Sequence, residues 1–231
     1  MLIFLKRRLF VYAFISLALI FVSAQTSLSQ TNAIPDTKGD RESFMQLSDG
    51  VIKREIVSFN ITGSLDSETS GFAKTQMTEI PLRNCTDSST TFQKGDIIAT
   101  DILVSISSTG FDTAGHKLTY ADSSHQFLLL IDDKPIWGTD GGVPKEKIAS
   151  VRFIHVKYQL ILPHSAIAGL YEPNFCYNQK AREKPAETFC KVFQSADKRR
   201  VYIYMLNGDG AGGYEVTWII EDSKYLKRVV D

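Results

Sequence analysis

RRVYIYMLNGDGAGGYEVTWIIEDSKYLKRVVD, residues 199–231, is the stretch that decides the fold of this chain. It contains three segments rich in Val, Ile, Tyr and Trp, the residue types that favour strands: residues 199–206, 213–220 and 224–231. A glycine-rich link at 207–213 separates the first two segments, and a polar turn at 221–223 separates the last two. Short strands joined by such turns pair as antiparallel neighbours. The stretch therefore predicts a three-stranded antiparallel meander.

The first two segments of this meander carry apolar residues at every second position. Alternate side chains of a strand point to the same face of the sheet. The predicted core face comprises Val201, Ile203, Met205, Tyr214, Val216, Trp218 and Ile220. We expect this face to pack against strands from the middle of the chain.

The middle of the chain shows further strand patterns. Ile102, Val104 and Ile106 form a nearly pure apolar face, and residues 56–62 alternate between apolar and polar side chains in the same way. Residues 149–162 are rich in Val, Ile, Phe and Tyr but too long for an ordinary strand, so we expect two strands with a bend between them. These spacings predict an all-β core.

Helical signals are confined to one short segment. Ser165 is placed to cap a helix over residues 166–171, which Pro173 would end. Elsewhere, strands recur at short intervals between clusters of Gly, Asp, Asn and Pro, a spacing typical of antiparallel sandwiches and barrels. The predicted fold is mainly β, an antiparallel β-sandwich or barrel with one short helix.

The first 24 residues have the pattern of a cleaved signal peptide. Three positive charges at Lys6, Arg7 and Arg8 precede an apolar run at residues 9–22, and small residues then place the cleavage after Ala24. An uncleaved membrane anchor is the alternative, although the run is short for a span of about 20 residues. We therefore expect an exported protein, periplasmic or secreted, with no integral membrane span after cleavage.

The remaining chain divides into a polar arm at residues 25–50, expected to be flexible, and a single β domain at residues 51–231. Loss of the signal peptide removes three basic residues and no acidic ones, so 23 Lys and Arg face 26 Asp and Glu, a net charge of −3. Binding to nucleic acid depends on Lys and Arg neutralising phosphates. The charge balance therefore argues against a nucleic-acid partner.

Three cysteines allow at most one intramolecular disulfide. Cys176 and Cys190 are the predicted pair, because the polar segment between them is typical of a loop that a disulfide closes. Cys85 is then left over. Either it is a small buried apolar residue, or it is a reactive nucleophile, which would need a neighbouring His or helix N-terminus.

Two glycine-rich loops carry the candidate binding residues. Asp140 follows Trp137 in one loop, and Asp209 lies in the other, ahead of Trp218. Aspartates in such loops commonly accept main-chain hydrogen bonds and stabilise turns. If the two loops met at one end of the sheet, the two carboxylates could instead hold calcium or form a sugar cleft flanked by the two tryptophans.

The sequence contains no set of residues whose spacing matches a known catalytic motif. No two of the four histidines are placed to bind a metal from one helix or strand face, and no Gly-x-Ser-x-Gly motif is present. The adjacent carboxylates at 132–133 and 221–222 are typical of hairpin turns. A hydrolase would need a site assembled from distant segments; its candidate residues are His125, His155, Asp140, Asp209 and Glu215.

Three segments carry a resemblance to known sequences: WGTDGGVP at residues 137–144, LPHSAIAGLYEPN at residues 162–174, and NGDGAGGYEVTW at residues 207–218. Together they resemble uncharacterised exported bacterial β-proteins. The resemblance covers about the last hundred residues and implies a location in the bacterial envelope or outside the cell. It implies no activity and no functional residue.

These observations favour an exported module that binds a glycan or an envelope partner and is not an enzyme. A secreted hydrolase with a spatially assembled site is the alternative. A purely structural protein without a small ligand is the third possibility. No cofactor is expected, apart from calcium if Asp140 and Asp209 meet.

Overall fold

A computed structural model of the chain describes residues 43–59, 75–95, 101–156, 158–177, 187–208 and 212–231. The predicted signal peptide and residues 25–42 of the predicted arm lie outside this part. Strands dominate it, with the bounds β1 Met77–Glu79, β2 Leu82–Thr86, β3 Ser89–Lys94, β4 Ile102–Gly110, β5 Leu118–Tyr120, β6 Leu128–Ile131, β7 Lys134–Pro135, β8 Glu146–His155, β9 Tyr158–Ile161, β10 Cys176–Tyr177, β11 Glu187–Thr188, β12 Cys190–Ser195, β13 Arg200–Asn207, β14 Tyr214–Glu221 and β15 Lys224–Val230.

Two five-stranded antiparallel sheets form the body of the fold. The meander sheet has the order β1-β12-β13-β14-β15, and the opposing sheet has the order β2-β3-β4-β8-β9. Two smaller sheets complete the described structure. A three-stranded sheet, β5-β6-β7, comes between β4 and β8 in the chain, and a two-stranded pair, β10-β11, comes between β9 and β12. The predicted meander is confirmed as β13, β14 and β15, each paired with the next in antiparallel register.

The core lies between the two large sheets. The meander sheet contributes Val201, Ile203, Met205, Tyr214, Val216, Trp218 and Ile220, all at most 4% exposed. The opposing sheet contributes apolar residues of β3, β4 and β8, among them Phe92, Val104 and Phe153. This face-to-face packing confirms a mainly β sandwich. Each large sheet ends in two edge strands and does not close on itself.

The second face of the meander sheet is covered by a helix, α1, which spans Gly50–Phe59. The prediction of a strand at residues 56–62 is wrong for its described part, residues 56–59. Ile52, Ile56 and Phe59 recur at the three- and four-residue spacing of one helix face, and all three are buried. The two-residue alternation that suggested a strand is too short a pattern to distinguish the two structures. Among the described residues, no helix is long and apolar enough to cross a membrane.

The end of the predicted arm packs against the same face. A short 3-10 helix covers Phe44–Gln46, and both Phe44 and Leu47 are buried beside α1. The main-chain N–H of Phe44 donates to the Asp231 carboxylate at 3.1 Å. Residues 43–50 therefore contribute to the packed structure, and only residues 25–42 of the arm lie outside the description.

The predicted short helix lies close to its expected place. This helix, α2, spans His164–Ile167, so it begins two residues earlier than expected and forms about one turn. Pro163 occupies the N-cap position in place of Ser165. The helix ends because Ala168 is extended and Gly169 has a φ of +80°.

The predicted disulfide is wrong. Cys85 and Cys176 form the bond, with their Cα atoms 6.0 Å apart and a sequence separation of 91, and Cys190 is the free, buried cysteine. Cys190 opens β12 and takes part in the sandwich core, whereas Cys176 lies on β10. The loop argument failed because β2 and β10 belong to different sheets, and the packing between elements, not the distance in sequence, brings Cys85 and Cys176 together. Cys85 is thus neither a spare thiol nor a nucleophile.

Burial of Cys190 makes the stability sensitive to alkaline pH. Burial raises the pKa of its thiol from 9.0 to about 12. Below pH 9 the thiol is protonated in both the folded and the unfolded chain, so the free energy of unfolding does not change with pH on its account. Above that pH the unfolded chain loses the proton first, so the free energy of unfolding falls by about 1.4 kcal/mol per pH unit.

We expect urea denaturation at pH 8 and pH 10 to show this loss. Cys190→Ala should lose about 1.4 kcal/mol less than the wild type over that interval. Tyr202 and Tyr214, whose pKa values are also raised by burial, are present in both proteins and add the same further loss to each. An identical decline in the two proteins would contradict the assignment to Cys190.

Candidate functional site

A cleft with a volume of about 350 Å³ opens among the described residues. It lies between the small sheet, strand β8 and the segment from α2 to Tyr171. Its polar lining comes from His116, Asp132, Lys134, Lys147 and His164. Four separate parts of the chain therefore contribute to one concave surface.

A second cavity of about 220 Å³ continues this cleft. The two share residues of β7 and of the segment after α2: Lys134, Pro135, His164, Ala168 and Gly169. The second cavity adds the side chains of Trp137, Ser165 and Arg228. We refer to the two cavities together as the composite cleft.

Trp137 is held in place by the main chain around it. Its N–H donates to the carbonyl of Gly169 at 2.8 Å, and its carbonyl accepts from the N–H of Tyr171 at 2.9 Å. A Cβ atom at residue 169 would lie 2.8 Å from the Trp137 ring, closer than real contacts allow. Only glycine therefore permits the ring to lie against this turn, where it is half-buried and lines the cavity.

Arg228 packs against the same tryptophan. Its guanidinium carbon is 5.6 Å from the centroid of the Trp137 ring, within the range of a cation–π contact. Nη1 donates to the carbonyls of Ala168 at 2.7 Å and Ala166 at 3.3 Å. The residue is 8% exposed, so a permanent positive charge is fixed at the wall of the cleft.

A histidine–carboxylate pair lies at the rim of the larger cavity. His116 Nδ1 is 2.6 Å from Asp132 Oδ2, and the N–H of Lys117 donates to Asp132 Oδ1 at 2.9 Å. The bond from Lys117 and then that with His116 lower the pKa of the Asp132 carboxyl. Asp132 and Asp133 have φ values of 54° and 59°, which confirms the predicted hairpin turn.

The composite cleft is positive on a chain whose formal net charge is zero. Its lining includes three permanent cations, Lys134, Lys147 and Arg228, and one carboxylate, Asp132. Asp132 already accepts bonds from two neighbours. Concave surfaces lined by one sign of charge concentrate ligands of the opposite sign.

The two tryptophans of the sequence prediction have different positions. Trp137 lines the composite cleft. Trp218 is fully buried in the sandwich core, and its Nε1 donates to the carbonyl of Ala166 at 2.7 Å. The expectation that Trp218 flanks a ligand is therefore wrong, because its strand is covered on both faces.

The two glycine-rich loops do meet. The N–H of Gly212 donates to Asp140 Oδ1, and the N–H of Gly138 donates to the carbonyl of Gly212 at 2.8 Å. Asp209 lies outside the described residues. Asp140 thus accepts a main-chain hydrogen bond from the other loop and links the two loops. No group of three or more His, Cys, Asp or Glu side chains able to hold a metal occurs in the described part of the chain.

The residues suggested for a hydrolase have separate partners. His125 stacks on Tyr120, with ring centroids 4.7 Å apart, and His155 Nδ1 lies 3.2 Å from Ser223 Oγ. Glu215 Oε2 accepts from the hydroxyl of Tyr204 at 3.0 Å. No contact among the described residues joins these three side chains into one site.

Sequence reasoning did not single out five basic or histidine residues that line the composite cleft: His116, Lys134, Lys147, His164 and Arg228. They come from five short segments and share no motif. The hairpin signal at 132–133 was recognised, but nothing in it indicated that a histidine 16 residues earlier would contact the turn. Comparisons with models of protein families, with curated proteins and with solved structures gave no match to this chain.

Proposed function

We propose that this chain is an exported β-sandwich binding module that holds a saccharide in the composite cleft. The observation that carries the proposal is the half-buried Trp137 ring in a concave site lined by polar side chains. A sugar ring presents an apolar face of C–H groups and several hydroxyls. The apolar face packs on an aromatic ring, and the hydroxyls need hydrogen-bonding groups nearby.

Two further features support export. The Cys85–Cys176 disulfide is of a kind that persists in oxidising compartments such as the periplasm. The pattern of the first 24 residues and the resemblance of the C-terminal segments to exported bacterial β-proteins favour the same location, periplasmic or secreted.

Trp137→Ala is expected to weaken glycan binding by about 10- to 100-fold, because burying an aromatic side chain contributes about 1.5–3 kcal/mol. Binding of the wild type is first detected on a panel of neutral and acidic oligosaccharides and then measured by calorimetry. Tyr158→Ala is the matched control, since Tyr158 is an aromatic residue 67% exposed on edge strand β9, outside the composite cleft. Equal affinities of the Trp137→Ala variant and the wild type would contradict the proposal.

A secreted hydrolase is the second candidate, favoured by the contact of His116 with Asp132 at the cleft. In such a pair the carboxylate orients the imidazole, which can take a proton from water attacking a bound substrate. Turnover of ester, peptide or glycoside substrates that is lost in both His116→Ala and Asp132→Asn would establish this alternative. Glycan binding by the wild type without turnover of any of these substrates would argue against the hydrolase and favour the binding module.

A further inference from the structure

We infer that the saccharide is anionic and carries a carboxylate that Lys134 binds while the sugar ring packs on Trp137. This inference rests on the proposed function and adds the chemical class of the ligand. Lys134 and Trp137 both line the smaller cavity, so one sugar unit can contact both.

Lys134 is placed at the junction of the composite cleft. It is exposed, it lies on the two-residue strand β7, and it is the one lysine that lines both cavities in the described part of the chain. A carboxylate bound there can therefore belong to a ligand that extends into either cavity.

The other two cations lie at opposite ends of the same surface. Lys147 lines only the larger cavity, where its ammonium is 5.5 Å from the centroid of the Phe111 ring, and Arg228 lines only the smaller cavity. Positive charge thus follows the whole cleft. An oligosaccharide with repeated carboxylates matches this arrangement better than one with a single charge.

The carboxylate of Asp132 faces the same cleft and would repel such a ligand if it were unpaired. It is instead held by His116 at 2.6 Å and by the N–H of Lys117 at 2.9 Å. Asp132 stays ionised, but the lining carries three cations against this one carboxylate, so its net charge is positive. The chain has equal numbers of basic and acidic residues, so a general attraction for anions does not account for the local excess.

The test compares uronic-acid oligosaccharides with their methyl esters, which keep the same sugar rings and linkages but carry a neutral methyl ester in place of each carboxylate. We expect the acids to bind at least tenfold more tightly than the esters, with an affinity that falls as the salt concentration rises. Lys134→Ala should remove this preference, and Lys134→Arg should restore most of it. Lys224→Ala, at an exposed lysine on edge strand β15, is the matched control and should bind like the wild type.

The outcomes separate the two proposals. Equal binding of acids and esters, or a preference that survives Lys134→Ala, would overturn the anionic ligand and leave the saccharide site intact. An absence of binding to every neutral and acidic member of the panel would overturn the saccharide site itself.

Discussion

Glu55→Ala is expected to lower the free energy of unfolding by about 3–5 kcal/mol, the usual cost of removing one partner of a buried ion pair. Glu55 lies on α1, and its two carboxylate oxygens accept bonds from Arg200, Nε at 2.7 Å and Nη2 at 3.0 Å. Both side chains are less than 10% exposed. The hydroxyl of Tyr202 donates to the same carboxylate.

The Glu55→Ala substitution would leave the buried guanidinium of Arg200 with less negative charge to balance it. Arg200 would keep Glu221 at 3.0 Å, a partner that is partly exposed. Tyr202 would lose the acceptor for its buried hydroxyl, which costs about 1–3 kcal/mol by itself. In the wild type the bond with Glu55 raises the pKa of Arg200, and burial, followed by the bond to Glu55, raises the pKa of Tyr202.

Urea denaturation of Glu55→Ala, Glu55→Gln and the wild type measures the effect. Glu55→Gln keeps a hydrogen-bond acceptor and should fall between the other two. Glu79→Ala is the matched control, because Glu79 pairs with Lys191 at 2.8 Å on an exposed surface, and such pairs contribute about 0–1 kcal/mol. If Glu55→Ala cost no more than Glu79→Ala, the buried pair would not hold α1 on the sheet.

The double substitution Cys85→Ala with Cys176→Ala is expected to cost about 2–5 kcal/mol, the usual range for losing a native disulfide. The bond closes a long loop, since the sequence separation of its two cysteines is 91. On the chain-entropy model a loop of about 100 residues gives a stabilisation near the top of that range, about 4.7 kcal/mol. Reduction of the wild type should produce the same loss.

Reductant sensitivity distinguishes the observed pairing from the one predicted by sequence. Cys190→Ala should keep the full effect of reductant on the melting temperature, and Cys85→Ala should abolish it. The reverse result would show that Cys176 pairs with Cys190 in solution. Thiol titration adds a check: one thiol should react, and only after denaturation, because Cys190 is buried.

The parts of the fold that sequence predicted well are those with dense local signals. The meander has three strand-rich segments joined by turn residues, and Asp222 and Ser223 adopt the positive φ values, 48° and 62°, that a tight hairpin requires. The bend within 149–162 was also correct, with Val156 at a φ of 55° between β8 and β9. In each case one short segment contains both the strand preference and its interruption.

The parts that sequence missed depend on contacts between distant segments. The position of helix α1 depends on Tyr202, Tyr204 and Ile219, which leave an apolar face on the meander sheet for it to cover. The Cys85–Cys176 bond depends on how β2 and β10 lie, and the composite cleft depends on how the small sheet lies beside β8 and α2. No local pattern encodes these arrangements.

The central position of β13 and β14 has a consequence for biosynthesis. Both strands are buried on each face, between the opposing sheet and α1, and they follow every other described strand except β15 in the chain. Until they emerge from the ribosome, the opposing sheet has no surface to pack on and α1 has no sheet to cover. The earlier segments therefore lack their packing partners during most of synthesis, and the sandwich can form only when the last strands of the meander sheet are present.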